Sequence, residues 1–262
     1  MRVAVGQLQV IAGDVDKNFS KGTELIRQAK DEKCELILLP EVWTTGFLFK
    51  KLKDLSKTTP EILKELKKLS DNICICGSYV VDDEESDKVF NIFYAIKDGN
   101  ILFEYKKTML FGTTGEDKYF KNGNFTQKNT FEIDNATIGV SICYELRFPE
   151  FFRKAVLKGA VIHLHPAIWP KTRLDHWNTL TKARAIENQL FLLTSNGTGI
   201  SGKWELAGHS TIFNGWGEIL TTAKESEGIF IADLNLNEIE KIREQLPSLD
   251  DSKIFKDLYL IP

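Results

Sequence analysis

Three side chains capable of acyl chemistry stand where apolar runs end. Cys143 closes "ATIGVSIC" and is followed by "YELRFPE", at the corner between a strand and a helix. Glu41 comes directly after "ELILLP", and Lys106 and Lys107 directly after "ILFEY". A thiol is a nucleophile, a carboxyl group can carry protons, and an ammonium can steady a developing oxyanion. Each also has a plainer reading. A buried Cys is a small hydrophobe, an acid after a strand is a solvated loop residue, and lysines protect sheet edges. Together the three make a set able to transfer an acyl group. Strand carboxyl ends are also where open α/β sheets keep their ligand crevices.

Positioning such a set takes strands, and the chain is rich in them. Runs such as "VAVGQLQV", "LILLP", "ICICGSYVV", "NIFYAIK", "TIGVSIC", "VIHLH", "LFLLTS" and "GIFIADL" have strand length and composition. Helix-length amphipathic segments separate several of them at 18–31, 60–70, 148–158 and 174–189. In the middle, "NIFYAIKDGNILFEYKK" reads as a hairpin turning at Asp98-Gly99-Asn100. This alternation predicts a mixed α/β sheet protein. With no repeat, low-complexity tract or linker, residues 1–262 read as one domain. The tail, 247–262, is expected to run extended over the surface or onto a neighbouring subunit.

Composition narrows the class of partner. A formal net charge of −3 gives no basis for a nucleic-acid or anionic-membrane partner. Met1 leads straight into an alternating strand pattern, so no signal peptide is read, and no apolar run approaches the ~20 residues that span a bilayer. The 4 cysteines are too sparse for a disulfide scaffold, which points to the cytoplasm.

Other motifs carry less. Gly197, Gly199 and Gly202 match G-x-G-x-x-G, but "KWELAGHSTIFNGWGE" follows as hairpin strands where a dinucleotide site needs a helix. His163 and His165 share a strand face without the spacings of a zinc site, so no metal is expected. Cys74 and Cys76 share another face and read as core.

The blocks "LLPEVWTTGF", "EYKKTMLF" and "SICYELRFPE" resemble the three signature blocks of the nitrilase, or carbon–nitrogen hydrolase, superfamily. The resemblance implies a Glu41–Lys107–Cys143 triad and a second glutamate at Glu116, seven residues before Gly123. It implies an α-β-β-α four-layer sandwich, no metal or organic cofactor, and subunits paired into a homodimer or larger homo-oligomer. Where the family usually has Asp after Cys-Tyr, this chain has Glu145. "ARAIENQLFLLTSNGTG", "GHSTIFNGWGEIL", "IWPKTRLDHW" and the C-terminal stretch are similar to the omega-amidase branch. That branch removes ammonia from the terminal amide of small 2-oxo acids such as 2-oxoglutaramate and 2-oxosuccinamate.

The implied chemistry gives each residue a role. Glu41 takes the Cys143 proton, the thiolate attacks the amide carbon, and Lys107 and the Tyr144 backbone N–H meet the oxyanion. Ammonia leaves, and water then hydrolyses the thioester. The start of a helix after Cys143 is expected to add positive potential. From position and charge, Arg173 is the candidate for the substrate carboxylate, with Trp169 as a wall; an ordinary surface ion pair is the alternative for Arg173. Deaminated-glutathione amidase, N-carbamoyl amidohydrolase and nitrilase share the triad and stay open, as does a non-catalytic binding member. A cysteine peptidase would need a histidine base.

Overall fold

A computed structural model describes residues 1–252. The first half runs β1 (Arg2–Gln7), α1 (Val15–Asp31), β2 (Leu36–Leu38), α2 (Leu52–Ser56), α3 (Thr59–Leu69), β3 (Cys74–Asp82), β4 (Val89–Lys97), β5 (Asn100–Lys106) and α4 (Glu116–Tyr119). Next come β6 (Thr130–Ile133), β7 (Ala136–Val140), α5 (Pro149–Leu157), β8 (Ile162–Ala167), α6 (Leu174–Asn188) and β9 (Phe191–Asn196). The chain closes with β10 (Thr198–Ser201), β11 (Trp204–Ala207), β12 (Thr211–Phe213), β13 (Ile219–Thr222), β14 (Gly228–Asp233), α7 (Asn237–Gln245) and α8 (Ser248–Asp251).

All of these strands but β10 and β11 form two six-stranded sheets, in the orders β14-β1-β2-β3-β4-β5 and β13-β12-β9-β8-β7-β6. In each, three neighbouring strands run parallel (β1-β2-β3 and β7-β8-β9) and antiparallel strands flank them. Period-two alternation sorts the first sheet's side chains. Val3, Val5, Leu36, Leu38, Cys74, Cys76 and Phe93 join a core shared with the second sheet. Ala4, Ile37, Ile75, Tyr94 and Ile96 point the other way, onto Leu25, Ile26 and Ala29 of α1 and Ile62 and Leu66 of α3. Helices α5 and α6 lie on the second sheet through Phe151, Phe152, Trp177 and Ala185. The layers are therefore helix, sheet, sheet, helix.

Local chemistry explains the element limits. Helix α1 opens at Asp14, whose side chain accepts the Lys17 N–H at 3.2 Å, and α5 opens on Pro149, where a missing N–H costs nothing. Close packing of α1 needs Gly22, because a Cβ there would stand 2.1 Å from the Trp43 ring. Between β4 and β5, Asp98 and Gly99 both take positive φ (49° and 77°), a two-residue turn within the Asp98-Gly99-Asn100 stretch the sequence indicates, with Asn100 already in β5. The glycine-rich segment after β9 is a β10–β11 hairpin, not a phosphate loop opening a helix.

One expectation at the C-terminus changes. Pro247 is followed by the helical turn α8, with Asp250 and Asp251 in its first turn, so this part of the tail is not extended. The remainder, 253–262, lies outside the described residues. No helix among the described residues is long and apolar enough to cross a membrane.

Candidate active site

Glu41, Lys107, Glu116 and Cys143 converge on one cavity, although they lie up to about a hundred residues apart in the chain. Glu41 follows β2, Lys107 follows β5, and Cys143 lies three residues beyond β7, so strand ends from both sheets meet there. The Lys107 Nζ donates to Glu41 Oε1 and to Glu116 Oε1, each at 2.7 Å, and all three side chains are buried. Asn91 Nδ2 also donates to Glu41 Oε1 at 2.8 Å, and the Ile168 N–H donates to Glu41 Oε2 at 3.0 Å. Glu116 is held at its other oxygen by the Phe111 N–H at 2.6 Å. All of these partners are donors, which suits the ionised form of both carboxyl groups.

Backbone strain marks both ends of the set. Cys143 has φ 47°, and Val42, directly after Glu41, has φ 37°. A left-handed conformation is costly for a β-branched residue and persists only where surroundings enforce it. Ser78 Oγ accepts the Val42 N–H at 2.9 Å and helps to do so. The thiol is partly open to the cavity, and Sγ lies 3.8 Å from the Ile168 carbonyl.

Electrostatics divide the labour. Burial disfavours the Lys107 charge, but the carboxylates of Glu116 and Glu41 outweigh it and raise the ammonium pKa. Burial is also the main reason the Cys143 thiol is pushed well up; the negative Glu41 adds to this and Lys107 offsets part of it. Burial raises Glu116, again with Lys107 opposing. One ammonium between two carboxylates already leaves an excess negative charge. A standing thiolate would add a second in the same dry site, so the resting sulfur is a thiol.

Glu145 ties the cysteine turn to the lysine strand. Its Oε2 accepts the Ile142 N–H at 2.7 Å, and its Oε1 accepts the N–H groups of Thr108 and Met109 at 2.6 and 3.2 Å and the Tyr105 hydroxyl at 2.9 Å. Burial pushes this carboxyl up to about 7 against those four bonds. At the position where the family usually has Asp, both oxygens of Glu145 are thus hydrogen-bonded.

Residues 2–244 match the family model for carbon-nitrogen hydrolase. The chain belongs to the carbon-nitrogen hydrolase family. Over 258 residues the hydrolase is 37% identical to the 2-oxoglutaramate amidase of Bacillus subtilis (strain 168), covering 97% of each chain. It is 28% identical to the omega-amidase NIT2 of Mus musculus, over 99% of this chain and 97% of that one. Among solved structures, Nit3 of Saccharomyces cerevisiae, a member of branch 10 of the nitrilase superfamily, matches with a TM-score of 0.85 and 25% identity, covering 94% of each chain. The sandwich expected from the sequence is this family's fold, and the protein is a hydrolase of carbon–nitrogen bonds.

The remaining expected residues of the hydrolase fall unevenly. Arg173 lines the cavity, its guanidinium 5.3 Å from the Phe111 ring centre. Trp169 does not wall the main cavity. It is buried beside a smaller recess next to Cys143, with its Nε1 donating to the Arg173 carbonyl at 2.8 Å and the Arg147 guanidinium over its ring. The walls are instead Phe47, Phe49, Phe111 and Trp204, which sequence reading missed. Tyr144 stacks on Phe111, ring centres 4.8 Å apart. The helix that begins at the sulfur is a short 3₁₀ helix, Cys143–Arg147, and the α-helix α5 starts only at Pro149. Lys107 supplies positive potential at the thiol.

His163 and His165 are fully buried behind the cysteine turn. Ser141 Oγ bridges them, 2.8 Å from His163 Nε2 and 2.9 Å from His165 Nδ1.

Proposed function

We propose that the protein is an amidase that hydrolyses the terminal amide of small 2-oxo dicarboxylic acid monoamides, with 2-oxoglutaramate as the leading substrate. The observation that carries this reading is the buried Glu41–Lys107–Glu116 cluster, which shares one cavity with Cys143 and with the cation Arg173. The similarity to a 2-oxoglutaramate amidase over nearly the whole chain supports the same substrate class.

In this reading Glu41 takes the thiol proton as the sulfur attacks the amide carbon. The transfer keeps the charge of the buried cluster constant while negative charge moves onto the carbonyl oxygen. That oxygen is met by the Lys107 ammonium and the Tyr144 backbone N–H, and one such donor is worth roughly 100- to 1,000-fold in turnover. Glu41 passes its proton to the leaving nitrogen, ammonia departs, and a thioester to Cys143 remains. Water, deprotonated by Glu41, then releases the acid. Glu116 holds Lys107 together with Glu41, and Arg173 takes the substrate carboxylate. Protein groups and water supply every step.

The whole chain is read as one catalytic unit, working as a homodimer in the cytoplasm. Sparse, unpaired cysteines support that compartment. Ammonia release from 2-oxoglutaramate, 2-oxosuccinamate, deaminated glutathione, N-carbamoyl amino acids and simple nitriles tests the reading. The expected result is kcat/KM highest for 2-oxoglutaramate and lost in Cys143→Ala. Preference for a nitrile or a carbamoyl compound would reject the substrate class, and no turnover of any would favour a non-catalytic binding protein.

A further inference from the structure

The two oxygens of Glu41 are held unequally. Oε1 accepts from the Lys107 Nζ at 2.7 Å and from Asn91 Nδ2 at 2.8 Å. Oε2 accepts from the Ile168 N–H at 3.0 Å and from no other donor among the described residues. A carboxylate oxygen offers about two lone-pair sites, so Oε1 is filled and Oε2 keeps one site open. The partners also divide by origin. Those of Oε1 stand on β4 and just after β5, in the first sheet, whereas Ile168 directly follows β8 of the second. The Cys143 Sγ lies 3.8 Å from the carbonyl of that same Ile168. Ile168 thus touches both the less occupied oxygen and the sulfur.

Asn91 serves the site through its backbone as well as its side chain. It is buried in β4, opposite Val80 of β3, and its carbonyl accepts the Lys107 N–H at 2.8 Å. One residue therefore bonds both the base and the lysine. Because a carboxylate only accepts, the part of the carboxamide turned to Glu41 is its NH₂ group. The Oδ1 has no partner among the described residues, and the bond to Glu41 is the only hydrogen bond this side chain makes there. Phe93 and Ala95, on the same face of β4 by strand alternation, belong to the core between the sheets. Packing alone would favour an apolar residue at 91, since a half-satisfied buried amide is costly.

We propose that Asn91 is a positioning residue: with Lys107 it fills Glu41 Oε1 and so confines the transferred proton to Oε2. The proposal rests on the active-site reading above, in which Glu41 takes the thiol proton and later passes it to the leaving nitrogen. A proton arriving on Oε1 must displace the ammonium or the amide, whereas Oε2 receives it with every bond in place. Without Asn91, Oε1 gains an open site on the oxygen that faces Lys107, and the ionised carboxylate loses a donor. The charged and titratable groups around Glu41 are Lys107 beyond β5, Glu116 in α4, Cys143 beyond β7 and Arg173 before α6, all lining the cavity. Neutral His165 of β8 lies behind the cysteine turn. A substitution at 91 leaves each of these in the chain.

Asn91→Leu removes the donor at nearly the same volume. Its kinetics are followed against pH as ammonia release from 2-oxoglutaramate and as the p-nitrophenolate burst from p-nitrophenyl acetate. The acid limb of kcat/KM reports the free enzyme's essential base. Losing a donor favours the protonated carboxyl, so this limb should move up by about one pH unit. On the plateau kcat should fall about tenfold, from the misplaced proton, with KM within about twofold because Asn91 is not among the residues lining the cavity. An acid limb unmoved or lowered, an unchanged kcat, or a rise in KM that accounts for the whole loss would overturn the proposal. Should Asn91→Leu fail to fold, Asn91→Val decides in the same assays; if neither folds, the role of Asn91 is structural and the proposal falls. Cys143→Ala run in parallel separates the readings. A burst that persists in it would defeat the active-site reading and this inference with it, whereas a Cys143-dependent burst unaltered by Asn91→Leu would reject the inference alone. A burst without 2-oxoglutaramate turnover would reject only the substrate, and the ester profile then decides.

Discussion

Glu145 takes four donors on two oxygens, and all four come from the segments that carry Cys143 and Lys107. Replacing it with Gln sets an NH₂ group against the Ile142 N–H or against the three donors at the other oxygen. One buried group left unpaired costs about 1–3 kcal/mol, so Glu145→Gln should lower stability by that amount in urea unfolding and slow Cys143 acylation. Its raised pKa sets the sign of the pH dependence. Between the ordinary value of 4.5 and about 7 the folded state keeps a proton that the unfolded chain gives up, so this group's contribution to stability declines as pH rises through that window. The Gln variant should lose that slope; an unchanged profile would mean Glu145 titrates normally. At this scale the sequence was readable where position marks a residue: Glu41 and Cys143 each stand just past an apolar strand. Between Lys106 and Lys107 the pattern alone could not choose, and the family block did. Asn91 was invisible, because its bond to Glu41 spans fifty positions and depends on how β4 lies beside β3.

Strands place the candidate catalytic groups here by way of the segments just beyond their ends. After β5, Lys107 is held by the segment that returns beneath it. The Gly123 N–H donates to the Lys107 carbonyl at 2.8 Å, and the Gln127 carboxamide pairs with the Lys106 N–H and carbonyl at 3.2 and 2.6 Å as a neighbouring strand would. A Cβ on Gly123 would stand 2.2 Å from the Lys106 carbonyl oxygen. Gly123→Ala should therefore displace this segment, destabilise the fold by about 1–3 kcal/mol and reduce kcat more than it raises KM. An alanine variant with unaltered kinetics would show that Lys107 needs no such support. The four helices α1, α3, α5 and α6 and most of the strands were legible to within a few residues because each buries one face and shows its period, whereas α7 and β6 were not read. The helix expected after the thiol is met in two pieces for a local reason: Glu145 closes a 3₁₀ helix on Ile142, and α5 opens only at Pro149.

The whole molecule repeats one strand pattern in two sheets and puts its site where they meet. Glu41, Lys107 and Glu116 come from the first half, and Cys143, Ile168 and Arg173 from the second. No repeat is visible in the sequence, since the two sheets share hydrogen-bond order and not side chains. Strand pairings such as β1 with β14 join distant parts of the chain, and local pattern cannot announce them. Buried neutral His163 and His165 also bear on global stability. Their folded values lie below 6.5, so the unfolded chain binds protons first and stability falls as pH drops below about 6.5, for His165 until about 3. The loss should approach roughly 1.4 kcal/mol per pH unit for each ring, opposite in sign to Glu145, and urea midpoints of His163→Asn should show a shallower acid decline. At the centre stands the claim that Glu41, Lys107 and Cys143 act as one unit on an amide through a covalent intermediate. Rapid-quench mass spectrometry of the enzyme mixed with 2-oxoglutaramate tests it most directly. The expected result is an acyl group on the Cys143 peptide, formed as ammonia appears and absent in Glu41→Gln. Ammonia released at full rate with Cys143 unmodified throughout, or an adduct on another residue, would contradict it.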